Sequence, residues 1–142
     1  MRPKAKSKLQ KRIDDPRSTY WMKRCDGAWG DLMHTVYGSC AVGENCSGPL
    51  EAHHLVPRNH HATRHELWNG ILLCSLHHQW SMMLSAHMAP LAFAEWLMVK
   101  KPQQWEWVCK HKWDVGKPDY KATLAYLTKV KADYLSKHPE KK

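Results

Sequence analysis

Four residues able to hold a soft metal ion stand in two pairs along the chain, Cys40 with Cys46 and Cys74 with His77. Two short knuckles some thirty residues apart can deliver four sulfur and nitrogen donors in a tetrahedron, the arrangement zinc prefers. The second pair has good ligand spacing, with two residues between the donors. The first, with five, is looser than the usual two to four. Around it lie Gly38, Gly43, Glu44, Asn45 and Gly48, a poor apolar environment for cysteines placed only to pack. Four protein ligands leave no open coordination position, so a zinc ion there is expected to be structural and the chemistry to lie elsewhere. Cys25 and Cys109 fall in apolar helical patterns and are read as packing residues.

A second set of polar residues remains: the adjacent pair His53-His54, then Asn69, then His78. Strand alternation sends neighbouring side chains to opposite faces, so one of the pair can face a metal while the other faces a substrate. Seven of the eleven histidines lie between Leu50 and Trp80. Of these, His60, His61 and His65 sit in a polar stretch beside Arg58 and Arg64, where solvated or phosphate-contacting side chains are expected. His87 lies beyond the motif, and a ligand role is not assigned to it. Trp68 and Trp80 are expected to pack against the unit.

The elements that must position these groups follow from pattern. Tyr20, Trp21, Cys25, Trp29, Leu32, Met33 and Val36 recur at helical spacing, although Gly27 and Gly30 suggest a kink or break. A turn-rich cysteine stretch leads to a strand over residues 49–56, ended by Pro57-Arg58-Asn59. Leu67 to Leu73 gives a turn and a second apolar strand, and Cys74 opens a helix reading SLHHQWSMML. Downstream, Pro90–Val99 is apolar around most of its circumference, Gln103–Trp113 is another helical piece, and a last helix begins at Pro118 or Asp119 with its apolar stripe at Tyr120, Leu124, Leu127, Val130 and Tyr134. The fold class is α+β, a hairpin followed by a helix set among flanking helices. The organisation read from the chain is a flexible basic arm (1–17), a core (18–88), C-terminal helices packing on it (89–137) and a short basic tail (138–142).

Composition narrows the function. A net charge of +9, from 22 Lys and Arg against 13 Asp and Glu, favours a polyanionic partner, most simply nucleic acid. No stretch is apolar enough to cross a membrane. The basic start lacks the apolar run of an export signal, and five cysteines is an odd number, so a disulfide framework is not expected and a cytoplasmic location is.

The residues EAHHLVPR, then LWNGILLC, then a knuckle followed directly by His78, resemble the HNH nucleases, built on a ββα-metal finger. The resemblance covers about forty residues from Cys40 to His78. It implies a small finger with zinc knuckles, embedded in helices, that hydrolyses phosphodiester bonds in DNA. It matches His54 to the general base, His53 and His78 to the ligands of one catalytic divalent ion, and Asn69 to the residue that braces the loop and orients His54. Cys40, Cys46, Cys74 and His77 match the structural zinc. Arg58 and Arg64 become phosphate clamps, since guanidinium binds phosphate with a planar fork. Small nucleases of this kind in bacteriophages and mobile elements are similar, which implies host-cell cytoplasm and a monomer or weak homodimer. Two departures stand out. His77 replaces the cysteine common in zinc-bearing members. Met82 occupies the position where toxin members carry a third histidine, so a three-histidine site of that kind is not expected. That favours Mg2+ or Mn2+, although two imidazoles also suit Ni2+ or Zn2+. The competing readings are a zinc-stapled nucleic-acid-binding module without catalysis and a metal finger for protein contacts. The joint presence of His54, Asn69 and His78 favours catalysis over the first, and the charge with Arg58 and Arg64 argues against the second.

Overall fold

The computed structural model describes residues 1–142. It contains five α-helices, namely α1 (Lys8–Asp14), α2 (Thr19–Tyr37), α3 (Pro90–Lys100), α4 (Pro102–His111) and α5 (Tyr120–Lys137), and two strands, β1 (Leu50–His54) and β2 (Gly70–Cys74). The architecture is α+β, as expected: a two-stranded antiparallel hairpin set among helices. No helix is long and apolar enough to cross a membrane.

Helix α2 runs unbroken through Gly27 and Gly30. Its apolar face buries Cys25, Trp29, Leu32 and Met33, and tertiary packing of such a face outweighs the ~1 kcal/mol that glycine costs in a helix. The helix stops at Gly38, whose φ of 69° lets its N–H return to the carbonyl of His34. Tyr120 and Leu127 of α5 complete this core, each fully buried apolar side chain contributing roughly 1.5–3 kcal/mol. The Asp119 side chain caps α5 by accepting from the N–H of Ala122 at 2.9 Å. The basic arm carries helix α1, joined to α2 where Trp21 Nε1 donates to the Ile13 carbonyl and the Ser18 hydroxyl to that of Arg12.

The hairpin separates two cores. β2 is buried along its whole length, with Ile71, Leu73 and Cys74 packing beside Phe93 and Leu97 of α3 on one side. On the other, Ala52 meets the α2–α5 core, and Gly70 sits so close beneath α2 that a Cβ there would lie 2.6 Å from Trp29. The Gly70 carbonyl accepts from the Tyr37 hydroxyl at 3.0 Å and from Gln104 Nε2 at 2.8 Å, so α2 and α4 both anchor this end of the strand.

The element after β2 differs from the expected ten-residue helix. A single π-helical turn, Leu76–Trp80, follows Cys74 and ends at Ser81. The Ser81 hydroxyl accepts from the N–H groups of Met83 and Leu84, and Ser85 donates to the Ser81 carbonyl at 2.7 Å. Serine side chains thus offer the backbone partners that compete with helix continuation. Trp68 and Trp80, expected to pack, are instead 48% and 65% exposed. Cys25 is buried as expected, whereas Cys109 is exposed.

Candidate metal centres and active site

Pairing across the hairpin fixes where the two adjacent histidines point. His53 opposes Ile71 and His54 opposes Gly70, so they project to opposite faces. His53 emerges toward the π turn. His54 emerges toward α2, where its ring lies parallel to that of Trp29 at 4.0 Å between centroids and 14° between planes.

The first metal cluster comprises Cys40, Cys46, Cys74 and His77. From His77 Nδ1 the sulfurs lie at 3.6, 3.8 and 3.2 Å. Bond lengths of ~2.3 Å to sulfur and ~2.0 Å to nitrogen put neighbouring donors of a tetrahedral zinc about 3.5 Å apart, so the set fits. Its electrostatics agree. Loss of hydration, then the neighbouring Cys40 thiol, push Cys46 up to about 11, the opposition expected of crowded thiolates that lack a cation. Burial works against ionisation of Cys74 as well, but backbone hydrogen bonds from His77 and Ser47 prevail and hold it below the ordinary thiol range.

The second cluster is His53, His78 and His87. His87 was given no ligand role in the sequence, yet the fold brings its ring beside His53 and His78, within reach of one ion. Met82 is exposed. Instead, the chain turns back after Ser81, and main-chain bonds from Ala86 to His77 (2.9 Å) and from His87 to His78 (3.0 Å) clip the returning segment onto the π turn. His87 Nε2 then lies 3.2 Å from His78 Nε2, close to the ~3–3.5 Å separating two imidazole donors on one ion at ~2.1 Å each. On the far side of the His78 ring, Nδ1 bonds the Glu51 carboxylate, which also accepts from Gln79 Nε2 at 3.1 Å. This carboxylate–histidine pairing leaves Nε2 facing His87. Burial, then repulsion from His78 and His87, push His53 down to about 3, so it stands as a neutral imidazole with a free lone pair. Three protein ligands leave coordination positions open.

Both His54 and the three-histidine cluster line one cavity of about 730 Å³, together with Asp26, Trp29 and Arg58. Burial pushes His54 down to about 4 even though the Arg64 main-chain carbonyl, an acceptor for the ring N–H, works the other way. It therefore lies well below the ordinary imidazole value expected for it. Its Nε2 is buried with no other hydrogen-bond partner.

Asn69 is wholly buried and closes the long connection between the strands. Its Oδ1 accepts from the N–H of Val56 at 2.6 Å, and its Nδ2 donates to the carbonyls of Val56 and Thr63 at 3.1 and 3.0 Å. One amide thereby ties both ends of the segment following His54.

Arg58 is exposed at the cavity rim. Arg64, expected beside it as a phosphate clamp, is committed elsewhere. Its Nε and Nη2 bond the two carboxylate oxygens of Asp26, each at 2.8 Å, and its Nη1 donates to the Arg58 carbonyl. Burial would raise the Asp26 carboxyl, but the bonds from His65 and Arg64 hold it far below the usual carboxylate range. Two of the three loop histidines are likewise engaged: His65 Nε2 lies 2.7 Å from Asp26, and His61 Nδ1 lies 2.9 Å from the Tyr120 hydroxyl. Sequence reasoning missed Asp26, Trp29, Glu51 and His87. Only Glu51, two residues before His53 on the same strand face, left a trace in the pattern.

Residues 38–81 match the family model described as HNH endonuclease. No curated protein and no solved structure matches the chain. The matched segment contains both cysteine knuckles, the hairpin, Asn69 and the π turn; it begins directly after α2 and stops short of His87. Over residues 38–81 the chain is thus similar to the HNH endonucleases.

Proposed function

We propose that the protein is a metal-dependent DNA endonuclease in which His54 is the general base and His53, His78 and His87 hold one divalent ion. The observation that carries this reading is the divergence of two adjacent histidines from one strand end, one into a metal-ligand cluster and one beneath α2, both opening on the same cavity. A divalent ion at the three imidazoles would polarise the scissile phosphate and stabilise the leaving oxygen, with water and phosphate oxygens completing its shell. The third imidazole moves the preference away from Mg2+, which favours oxygen donors, toward Mn2+, Ni2+ or Zn2+. His54 takes the proton of the attacking water on Nδ1, the ring nitrogen that is not buried. Its depressed basicity keeps it neutral and ready to accept at physiological pH. Arg58 meets the substrate backbone at the cavity rim, and Asn69 holds the loop that follows His54. The Cys40–Cys46–Cys74–His77 cluster binds a structural zinc that fastens the knuckle loop to the π turn. In this reading residues 18–88 form the nuclease core, the 1–17 arm and the C-terminal helices add charge along the DNA backbone, and the protein acts as a monomer or weak homodimer. We place it among bacteriophage or mobile-element enzymes that work in the host cytoplasm.

The deciding experiment incubates supercoiled plasmid with the purified protein and Mg2+, Mn2+ or Ni2+. Nicked or linear products that vanish with His54→Ala support the proposal. Binding of duplex DNA with no cleavage under any of the three ions would establish the rival, a zinc-stapled binding module.

A further inference from the structure

We infer that helix α2 belongs to the catalytic apparatus, with Asp26 and Trp29 serving as positioning residues for His54. This deepens the nuclease reading and rests on His54 being the base. The two residues lie one helical turn apart and both line the cavity that holds His53, His54, His78 and His87. Neither belongs to the segment that matches the family.

Each reaches His54 by its own route. Trp29 does so directly, its indole stacked on the imidazole at 4.0 Å and itself pinned where Nε1 donates to the Glu66 carbonyl at 3.1 Å. A parallel ring at that distance leaves the imidazole no room to turn about its χ2 axis. Asp26 acts through Arg64. Its two carboxylate oxygens hold the Arg64 guanidinium in a bidentate pair, and the Arg64 main-chain carbonyl faces the His54 ring. A carbonyl partner on one ring nitrogen places the proton there and leaves the lone pair on the other. Nε2 is the buried ring nitrogen, with no other partner in the protein, so the proton is held there against the Arg64 carbonyl and Nδ1 keeps the lone pair. A nitrogen without exposed surface cannot meet the attacking water, so the proton is accepted at Nδ1, where His54 lines the cavity. Asp26 and Trp29 thus select, from one helix face, both the plane and the tautomer of the base.

The test uses the full-length, zinc-loaded protein and two independent readouts. One is steady-state cleavage of a short duplex with Mn2+. The other is the 15N NMR signature of the His54 ring, which reports the tautomer whether or not the chain cleaves DNA. In Asp26→Asn, kcat should fall about 10–100-fold with KM within about two-fold, and the His54 signals should move from a single tautomer toward a mixture. Trp29→Phe, which keeps a stacking ring, should stay within about three-fold of wild type, while Trp29→Leu should lose at least about ten-fold in kcat. If Asp26→Asn does not fold, the Phe and Leu variants at Trp29 decide on the same readouts. An unchanged tautomer signal in Asp26→Asn, or equal losses in Trp29→Phe and Trp29→Leu, overturns the inference. Absent wild-type cleavage would refute the nuclease reading, while a tautomer shift in Asp26→Asn would still support the positioning role.

Discussion

His77 and His78 are neighbours on a single π turn and serve opposite designs. His77 is buried and faces three sulfurs, with no position left for a fifth group. His78 faces two imidazoles at the edge of a cavity of about 730 Å³. The sulfur-rich set is closed, its donors drawn from the knuckle loop, β2 and the π turn, so an ion there fastens chain to chain. The imidazole set is open, with its donors gathered from β1, the π turn and the returning loop. An ion there keeps room for a substrate. Donor count and access, more than metal identity, separate a fastener from a reaction centre.

Several measurements would break or sharpen that contrast. The largest effect is expected at the closed site. Cys74→Ser should release the zinc and remove the cooperative thermal transition of the finger, since metal binding in such units is folding free energy. Metal content by mass spectrometry and melting by circular dichroism check this, and an unchanged melting temperature would end the structural reading of the cluster. Next, His54→Ala should lower the cleavage rate by about 10²–10⁴ with zinc content and duplex affinity unchanged, measured by plasmid nicking and by fluorescence anisotropy. At the open site, His87→Ala should weaken Mn2+ binding by about 10–100-fold without altering the fold, and excess Mn2+ should restore much of the cleavage. Equal thermal damage from His87→Ala and Cys74→Ser would erase the distinction between the sites. Arg58→Ala should weaken duplex binding a few-fold and lower the salt slope by about one.

The smallest change expected is in pH dependence. Burial pushes His54 down to about 4, so its neutral, proton-accepting form persists well below the ordinary imidazole value. Lowering the pH from 7 to 5 should therefore reduce kcat/KM by less than about three-fold, and an acid limb centred near 6.5 would contradict the burial. The same depression has an opposite consequence for folding. The unfolded chain binds the proton at about 6.5, so this contribution to stability is present above that pH. It is lost as the pH falls through the window toward 4, and the melting temperature should decline there.

What could be read in advance was what obeys short periods. The divergence of His53 and His54 follows from strand alternation, and the two cysteine knuckles declare themselves by residue type in an unfavourable apolar setting. Asn69 was visible by its place before an apolar strand. The remainder depended on chain reversals with no period. His87 reaches the cluster because Ser81 and Ser85 take over backbone partners and turn the chain back. The same stretch, with its Met82, Met83 and Leu84, imitates a helix in apolar pattern. Arg64 looked like a phosphate ligand because its partner, Asp26, lies 38 positions earlier on another element. The plain polar loop of histidines dissolved for the same reason once Asp26 and Tyr120 claimed His65 and His61.

The stacking of Trp29 on His54 also bears on how such a protein can be taken apart and recombined. The matched segment holds every sulfur of the closed site and two of the three imidazoles of the open one, yet the indole stacked on His54 belongs to the surrounding scaffold. Transplanting residues 38–81 onto another framework would carry the zinc fastening along and leave the base's surroundings behind. Grafts among related chains should therefore keep their metal content while inheriting the host framework's turnover, which makes the seam between finger and scaffold the place where speed can be altered independently of assembly.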